Sequence, residues 1–361
     1  MNSNVLRRGY VFAILLGLLS VVSVPAFGAD SLTSNPDAYG KKCKADWLYR
    51  GQVGLSTHYF AVNPEDRVRM ANAFDITKVA HQAADAGASW FLLTVHHQSW
   101  VMMAPNETYD RLMGNGEYTA ERDLPMELSN EFEHKGIRLM LYVNLRLDPD
   151  SICPDSVRQA MGGWPPNDTL INNIAAVYRE FSIRYGKRVS GWWVDAAGIP
   201  GYAKAPSRDD WFKTIANALR AGNPDALVSF NPGLRIIRYS REDDYTAGES
   251  NNLSPQPTSR WLDGIQWHEW TYLGGWWASN GTRFDDEALG EYISRVTKSG
   301  GALTFEVGTR GILKSDITSK AVPNGHIGYI DPVQVEQLRR LTRYRRVKSL
   351  DSSECVLNRE Q

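Results

Sequence analysis

Carboxylate side chains recur where apolar, β-rich segments of the chain end. Asp195 follows the run GWWV, Glu249 lies in YTAGES, and Glu269 lies in QWHEW. Glycoside hydrolysis requires two such groups, one carboxylate as nucleophile or base and one carboxylic acid as proton donor. A lone aspartate after a strand also often caps a turn or a helix, so Asp195 alone does not define a site.

Imidazole side chains end two further β-rich segments. His58 ends the first of these segments, and His96 and His97 end the second. Imidazole can hydrogen-bond sugar hydroxyls, but three convergent histidines can also bind zinc. Because no HExxH-type spacing is present, we expect no metal and no cofactor, and a metal-dependent hydrolase built on these histidines stays an alternative.

Several other kinds of function lack their sequence signals. No GxSxG nucleophile elbow, phosphate-binding P-loop or dinucleotide-binding fingerprint is present. A formal net charge of −1 argues against nucleic acid as a partner, because phosphate neutralisation needs an excess of Lys and Arg. The 12 Trp and 16 Tyr residues suit either sugar stacking or a large core.

Short β-rich segments alternate with helical ones along the chain. The β-rich segments are 53–59, 90–95, 137–143, 189–194, 227–230, 245–247, 265–270 and 302–307, and the helical ones are 75–87, 122–135, 170–185, 211–221, 287–298 and 332–345. This alternation predicts a (β/α)8 TIM-like barrel, with a doubly wound open sheet as the alternative. We expect a single catalytic domain over 29–348, followed by a tail at 349–361.

A parallel barrel gathers the residues at the ends of its strands around one mouth. The carboxylates and histidines above are therefore expected to meet there, although they are scattered along the chain. Asn144, Asn231 and Glu306 also fall at strand ends. The two asparagines are interpreted as loop-forming residues.

The first 28 residues are typical of a secretory signal peptide. Arg7 and Arg8 precede a 14-residue apolar run over 11–24, and small residues follow it. The run is shorter than the roughly 20 residues that a membrane-spanning helix needs. We therefore expect an exported protein, periplasmic or extracellular, that has no membrane contact after cleavage.

The three cysteines do not form a disulfide scaffold. Cys43 could pair with Cys153 or with Cys355 in an oxidising compartment, and one thiol would remain. The pairing is not readable from the sequence.

Five segments, in order, resemble the α-L-fucosidase family of retaining glycoside hydrolases, family 29. They are GLSTHYF at 54–60, the segment ending LLTVHHQSW at 74–100, the segment ending RLMLYVN at 122–144, YGKRVSGWWVDAAG at 185–198, and GGALTFEVG at 300–308. The resemblance covers most of 50–345, which is the family's catalytic barrel. It implies a carbohydrate substrate, a fucosylated or related glycan.

The resemblance also implies roles for individual residues. His58, His96 and His97 match the histidines that bind fucose hydroxyls, and Asp195 matches the catalytic nucleophile. The general acid/base is either Glu269 or Glu249, and Glu269 ranks first because WHEWTYLGGWW matches the family over more positions. Trp193, Trp267 and Trp277 are then expected to line the sugar pocket.

The sequence departs from the family pattern at three places. HHQSW replaces the family's HHDGF, Ala302 replaces an asparagine, and no C-terminal β-sandwich is expected after the barrel. These differences leave the exact sugar open. They also leave open a second class of function, a catalytically inactive glycan-binding protein on a hydrolase barrel.

Overall fold

The computed structural model describes residues 44–253, 257–309 and 328–342. The expected signal peptide at 1–28, the tail at 349–361, Cys43 and Cys355 lie outside these ranges. Within them Cys153 is a buried free thiol. No helix in the described ranges has the length and apolar character needed to cross a membrane.

Seven parallel strands form one curved sheet at the centre of the molecule. Including a separate pair, β6 and β7, the strands of the described residues in chain order are β1 (Val53–Thr57), β2 (Trp90–Thr94), β3 (Arg138–Asn144), β4 (Val189–Asp195), β5 (Leu227–Phe230), β6 (Trp261–Leu262), β7 (Ile265–Gln266), β8 (His268–Tyr272) and β9 (Ala302–Glu306). The order in the large sheet is β5-β4-β3-β2-β1-β9-β8, and β6 pairs antiparallel with β7 outside it. The result is a curled half-barrel, consistent with the TIM-like fold that the alternation predicted.

An extended segment lies between the two edge strands of this sheet. Residues 244–250, hereafter the bridging segment, include the sixth predicted strand and make only isolated β-bridges. Asp244 donates its backbone N–H to Val228 on β5 at 2.9 Å, and Trp270 on β8 donates to Gly248 at 2.8 Å. The bridging segment therefore connects β5 to β8 through backbone hydrogen bonds.

Two adjacent buried aspartates anchor the start of the bridging segment. Asp244 accepts hydrogen bonds from Arg220 Nη2 at 2.8 Å and from the backbone of Val228 at 3.0 Å. Asp243 accepts from the backbone N–H groups of Phe230 and Ser240. Burial raises the pKa of Asp243 to about 7 against these hydrogen bonds.

Helices cover the outer face of the sheet. They are α1 (Asp46–Gly51), α2 (Pro64–Ala73), α3 (Ile76–Asp85), α4 (Glu107–Met113), α5 (Leu124–Glu133), α6 (Asp155–Ala160), α7 (Asp168–Tyr185), α8 (Pro200–Ala203), α9 (Arg208–Leu219), α10 (Asp286–Lys298) and α11 (Pro332–Thr342). Asp75 accepts from the Lys78 N–H at 3.0 Å and so caps α3. The sequence did not indicate the short helices α1, α4, α6 and α8 or the ten-residue α2.

Alternation along the strands divides the side chains into two layers. On β2, Phe91 and Leu93 join the large apolar cluster that contains the helices. Trp90 and Leu92 point the other way and join a smaller inner cluster with Trp193 and Trp270. Full burial of each large apolar side chain contributes about 1.5–3 kcal/mol, and the inner cluster forms a solid floor below the strand ends.

Candidate active site

Asp195 ends β4 with both carboxylate oxygens hydrogen-bonded. Its Oδ1 accepts from the Ala196 N–H at 2.6 Å and from Asn231 Nδ2 at 2.9 Å. Its Oδ2 accepts from the Tyr142 hydroxyl at 2.5 Å and from Asn144 Nδ2 at 2.9 Å. Four donors around a half-buried carboxylate hold it in one orientation.

The strand register explains why these donors meet. Asn144 on β3 lies directly opposite Asp195 on β4. Tyr142 precedes Asn144 by two residues, so the two side chains share the inner face of the sheet. Ala196, the residue after Asp195, has φ of 61°, a left-handed conformation that costs energy for a non-glycine residue. This turn brings the Ala196 N–H to the Asp195 carboxylate.

Glu249 faces the same site from the bridging segment. Its Oε2 accepts from Asn231 Nδ2 at 2.6 Å. Gly248 has φ of 70°, and a Cβ there would lie 2.1 Å from the His268 carbonyl oxygen, so only glycine permits this close approach to β8. Burial and then the charge of Asp195 raise the pKa of Glu249 to about 6.

The two carboxyl groups are close neighbours. The same Asn231 nitrogen lies 2.9 Å from an Asp195 oxygen and 2.6 Å from a Glu249 oxygen. These two oxygens therefore lie at most about 5.5 Å apart, a bound compatible with the roughly 5–5.5 Å between the carboxyl groups of retaining glycosidases. Both residues are partly accessible to solvent.

Glu269 does not join this pair. The adjacent Trp270 belongs to the inner cluster, so alternation turns Glu269 to the outer face of β8, toward Tyr292 on α10. Glu269 is fully buried, and neither of its carboxyl oxygens makes a hydrogen bond of normal geometry. Burial raises its pKa to about 8 against the effect of the Tyr292 and Ser250 hydroxyls.

The three predicted histidines separate into two groups. His58 and His97 face each other at the strand ends, with their rings 5.4 Å apart, and the His97 ring stacks on Tyr142 at 5.7 Å. His96 turns outward, and its Nε2 lies 3.2 Å from the Tyr178 hydroxyl on α7. Burial lowers the pKa of His96 to about 3 and the pKa of His97 well below the ordinary value.

The three histidines of the metal-dependent alternative consequently do not converge. In the described part of the chain, no group of three or more His, Cys, Asp or Glu side chains is arranged to hold a metal ion. His96 engages both ring nitrogens away from the mouth, near Tyr178 and the His97 carbonyl. The metal-dependent alternative therefore finds no geometric support at these three residues.

The three predicted tryptophans also have different positions. Trp277 is partly exposed beside the site, with its ring 5.7 Å from His58 and 4.9 Å from Trp270. Trp193 is buried beneath the site, and its indole N–H donates to the Ala247 carbonyl at 2.9 Å. Trp267 packs in the outer cluster with the helices. Trp277 is thus a wall of the site, Trp193 is part of its floor, and Trp267 belongs to the outer cluster.

Sequence reasoning passed over four side chains that shape the site. They are Tyr142, Asn144, Asn231 and Trp270, of which the two asparagines were interpreted as loop formers. A signal was present, because Asn144 and Asn231 directly follow the predicted strands 137–143 and 227–230, and Trp270 is the last residue of the predicted strand 265–270. Two positions back from Asn144, on the same face of the strand, lies Tyr142.

A barrel-like parallel sheet with paired carboxyl groups, imidazole and indole at its strand ends defines a glycoside hydrolase. The model of the α-L-fucosidase family matches residues 21–314, and the chain belongs to that family. No curated protein sequence matches the chain.

Similar solved structures are also glycoside hydrolases. The endo-fucoidan hydrolase MfFcnA4 of family 107 is 18% identical with a TM-score of 0.64, over 84% of this chain and 53% of that one. An α-L-fucosidase of family 29 from Bacteroides thetaiotaomicron is 13% identical with a TM-score of 0.58, over 89% and 76% of the chains. The α-L-fucosidase AlfC, solved with Fuca(1,6)GlcNAc, is 14% identical with a TM-score of 0.57, over 83% and 97%.

These likenesses concern the fold. The chain spans about half the length of the MfFcnA4 structure. At 13–18% identity, the three structures show a shared fold and do not show a shared substrate.

Proposed function

We propose that this protein is an exported retaining glycoside hydrolase that cleaves α-L-fucosidic bonds of a glycan, with Asp195 as nucleophile and Glu249 as general acid/base. The observation that carries the proposal is the single amide nitrogen of Asn231, which hydrogen-bonds both carboxyl groups at 2.9 and 2.6 Å. Two carboxyl groups that share one donor nitrogen are close enough to act as the roughly 5–5.5 Å pair that a retaining mechanism needs, and this supports the proposal.

In the first step, Asp195 attacks the anomeric carbon of the sugar. The bond between this carbon and the leaving oxygen breaks as a glycosyl ester to Asp195 forms. Glu249 gives its proton to the leaving oxygen, so the aglycone departs as a neutral alcohol. A pKa of about 6 suits this task, because a fraction of the acid is still protonated near neutral pH and the group also releases its proton readily.

In the second step, water enters on the side that the aglycone has left. Glu249, now ionised, accepts a proton from this water as it attacks the anomeric carbon. The ester bond breaks, and Asp195 recovers its carboxylate. Two displacements return the sugar with its original anomeric configuration.

The donors around Asp195 hold its carboxylate in one orientation for the first step. Burial raises the pKa of Tyr142 well above its ordinary value, so its hydroxyl stays neutral and donates to Asp195. Asn144 supports the same oxygen. Such fixed donors cost no reorganisation when the charge on Asp195 changes during the reaction.

The sugar itself is expected to contact His58, His97 and Trp277. The two imidazoles can hydrogen-bond its hydroxyls, and the partly exposed indole of Trp277 can pack on its apolar face. His96 then acts indirectly, by packing behind His97 against Trp100 and Tyr178.

Glu249 is preferred over Glu269 for a geometric reason. A general acid must come within hydrogen-bond reach of the leaving oxygen. Glu249 is partly accessible and shares Asn231 with the nucleophile. Glu269 is fully buried on the opposite face of β8.

The experiment that tests the proposal is hydrolysis of aryl α-L-fucoside beside aryl glycosides of other sugars. Wild-type protein is compared with Asp195→Ala and with Asp225→Ala, an exposed aspartate at the opposite end of the sheet. We expect fucoside turnover by the wild type and by Asp225→Ala, and a loss of about 10⁴-fold or more in Asp195→Ala.

Two outcomes would overturn the proposal. Turnover of a different sugar and not of fucoside would contradict the substrate. Undiminished turnover by Asp195→Ala would contradict the nucleophile. Sugar binding without turnover of any aryl glycoside or natural oligosaccharide would instead favour the glycan-binding alternative.

A further inference from the structure

A third carboxylate lies directly under the candidate site. Glu306, at the end of β9, is 1% exposed. Its Oε1 accepts from the His58 backbone N–H at 2.6 Å and lies 2.9 Å from His58 Nδ1. Its Oε2 accepts from the Ser56 hydroxyl at 2.6 Å. Both carboxylate oxygens therefore contact β1 or the residue that follows it: Oε2 contacts Ser56, and Oε1 contacts His58.

This arrangement fixes the position of Glu306. Ser56 in turn accepts from the indole N–H of Trp270 at 2.5 Å, and the Trp270 ring stacks on the His58 ring at 5.2 Å with 9° between their planes. The His58 ring is thus held from its edge by a carboxylate and from its face by an indole. Neither Glu306 nor Ser56 is reachable by substrate, because both are buried.

The contact between Glu306 and His58 determines where the imidazole proton lies. A carboxylate oxygen and an unprotonated ring nitrogen are both acceptors and do not form a hydrogen bond with each other. Nδ1 of His58 must therefore carry the proton that Glu306 Oε1 accepts. The second ring nitrogen, Nε2, is left without a role in this network.

Several titratable groups face His58 from the surrounding elements. They are Glu306 on β9, Asp195 on β4, Glu249 in the bridging segment, His97 after β2 and Tyr142 on β3. Burial lowers the pKa of His58, but the charge of Glu306, followed by the charges of Asp195 and Glu249, outweighs burial and raises this pKa.

We propose that Glu306 is a positioning residue that keeps a proton on Nδ1 of His58 and so presents Nε2 to the substrate. The proton position follows from the contacts above. That the substrate meets Nε2 rests on the proposed function. Below the pKa of His58, Nε2 donates a hydrogen bond to a sugar oxygen, and above it Nε2 accepts one from a sugar hydroxyl.

Nitrogen-15 NMR of histidine-labelled protein tests the proton position without any substrate. The His58 signals are assigned by their loss in His58→Gln. Above the His58 pKa we expect the Nδ1–H tautomer in the wild type. In Glu306→Gln we expect a lower His58 pKa, because the carboxylate charge is gone. An Nε2–H tautomer in the wild type, or an unchanged pKa in Glu306→Gln, would overturn the proposal.

Steady-state kinetics with the aryl fucoside tests the second claim, that Glu306 presents Nε2 of His58 to the substrate. We expect Glu306→Gln to lower kcat/KM by about 10- to 100-fold, the effect of losing a charged hydrogen bond. We expect the double variant His58→Ala, Glu306→Gln to be no slower than His58→Ala alone, because Glu306 acts through His58. Additive losses in the double variant would contradict a positioning role.

Ser56→Ala serves as the matched control. It removes the other partner of Glu306 but leaves both contacts to His58. We expect it to retain the Nδ1–H tautomer of His58, because both contacts between Glu306 and His58 remain. If the protein turns over no fucoside, the NMR result still decides whether Glu306 places the proton, so the two proposals fail separately.

Discussion

Asp195 and Glu249 accept hydrogen bonds from one nitrogen, Asn231 Nδ2, at 2.9 and 2.6 Å. A single amide thus spaces two carboxyl groups that come from different segments of the chain. It also keeps the charge of Asp195 close to Glu249. Asp195 is one of the two causes that raise the pKa of Glu249, after burial.

The two glutamates offer a matched comparison for the general acid. We expect Glu249→Gln to lower kcat/KM by about 10²- to 10⁴-fold on a fucosyl disaccharide, whose leaving oxygen needs a proton. We expect Glu269→Gln to stay near the wild-type value, because this side chain faces α10. Initial rates on the same disaccharide measure both. A large loss in Glu269→Gln with none in Glu249→Gln would reverse the assignment.

The pH dependence of kcat/KM on this disaccharide should have an alkaline limb near pH 6. Glu249 is protonated below its pKa of about 6 and can then donate to the leaving oxygen. As the pH rises through this value, the protonated fraction falls, and the rate should fall about tenfold per pH unit. The check is a pH–rate profile from pH 4 to 9. A profile of Glu249→Gln with the same limb would show that another group causes it.

Substitution of Asn231 should move that limb. The Asn231 hydrogen bond lowers the pKa of Glu249 by stabilising its charged form. In Asn231→Ala we therefore expect the alkaline limb at higher pH, together with a loss of about tenfold in kcat/KM from weaker positioning of Asp195. The same profile measures both effects. An alkaline limb at the wild-type pH or at a lower pH would contradict the claim that the Asn231 hydrogen bond lowers the pKa of Glu249.

Much of the fold was readable from the sequence because hydrophobic periodicity is a local signal. The predicted strand 227–230 coincides with β5, and the predicted helix 170–185 differs from α7 by two residues. The predicted strand 265–270 instead divides into β7 and β8. Its halves pair with different partners, and such a pairing depends on contacts that are distant in sequence.

The site was only partly readable for a similar reason. Asp195, His58 and His97 meet at the strand ends, as the parallel barrel predicted. The ranking of Glu269 above Glu249 followed the number of matching neighbours, whereas in the structure Glu269 faces outward from β8 and Glu249 lies in the bridging segment beside Asn231. A register change of one residue turns every side chain to the other face, and the sequence alone did not define the register at β8.

Glu269 should make the stability of the protein depend on pH. Burial raises its pKa from an ordinary value of 4.5 to about 8, so the folded state keeps a proton that the unfolded state releases. This contribution to stability is fully present below about pH 4.5 and is lost as the pH rises toward 8. Glu269→Gln removes it.

Thermal unfolding of wild type and Glu269→Gln between pH 4 and pH 9 measures this effect. We expect the Tm of the variant, relative to wild type, to rise steadily from pH 5 to pH 8 and then to level off. A difference in Tm that does not change with pH would contradict a buried protonated Glu269.

The central claim, that Asp195 forms a covalent glycosyl ester, is tested most directly by trapping. A 2-deoxy-2-fluoro-α-L-fucosyl fluoride forms the ester quickly and releases it slowly, because fluorine at C2 destabilises the charged transition state of both steps. After proteolysis, mass spectrometry should find one fluorofucosyl group on Asp195. A label on another residue, or turnover of the reagent with inversion at the anomeric carbon and no label, would contradict the account.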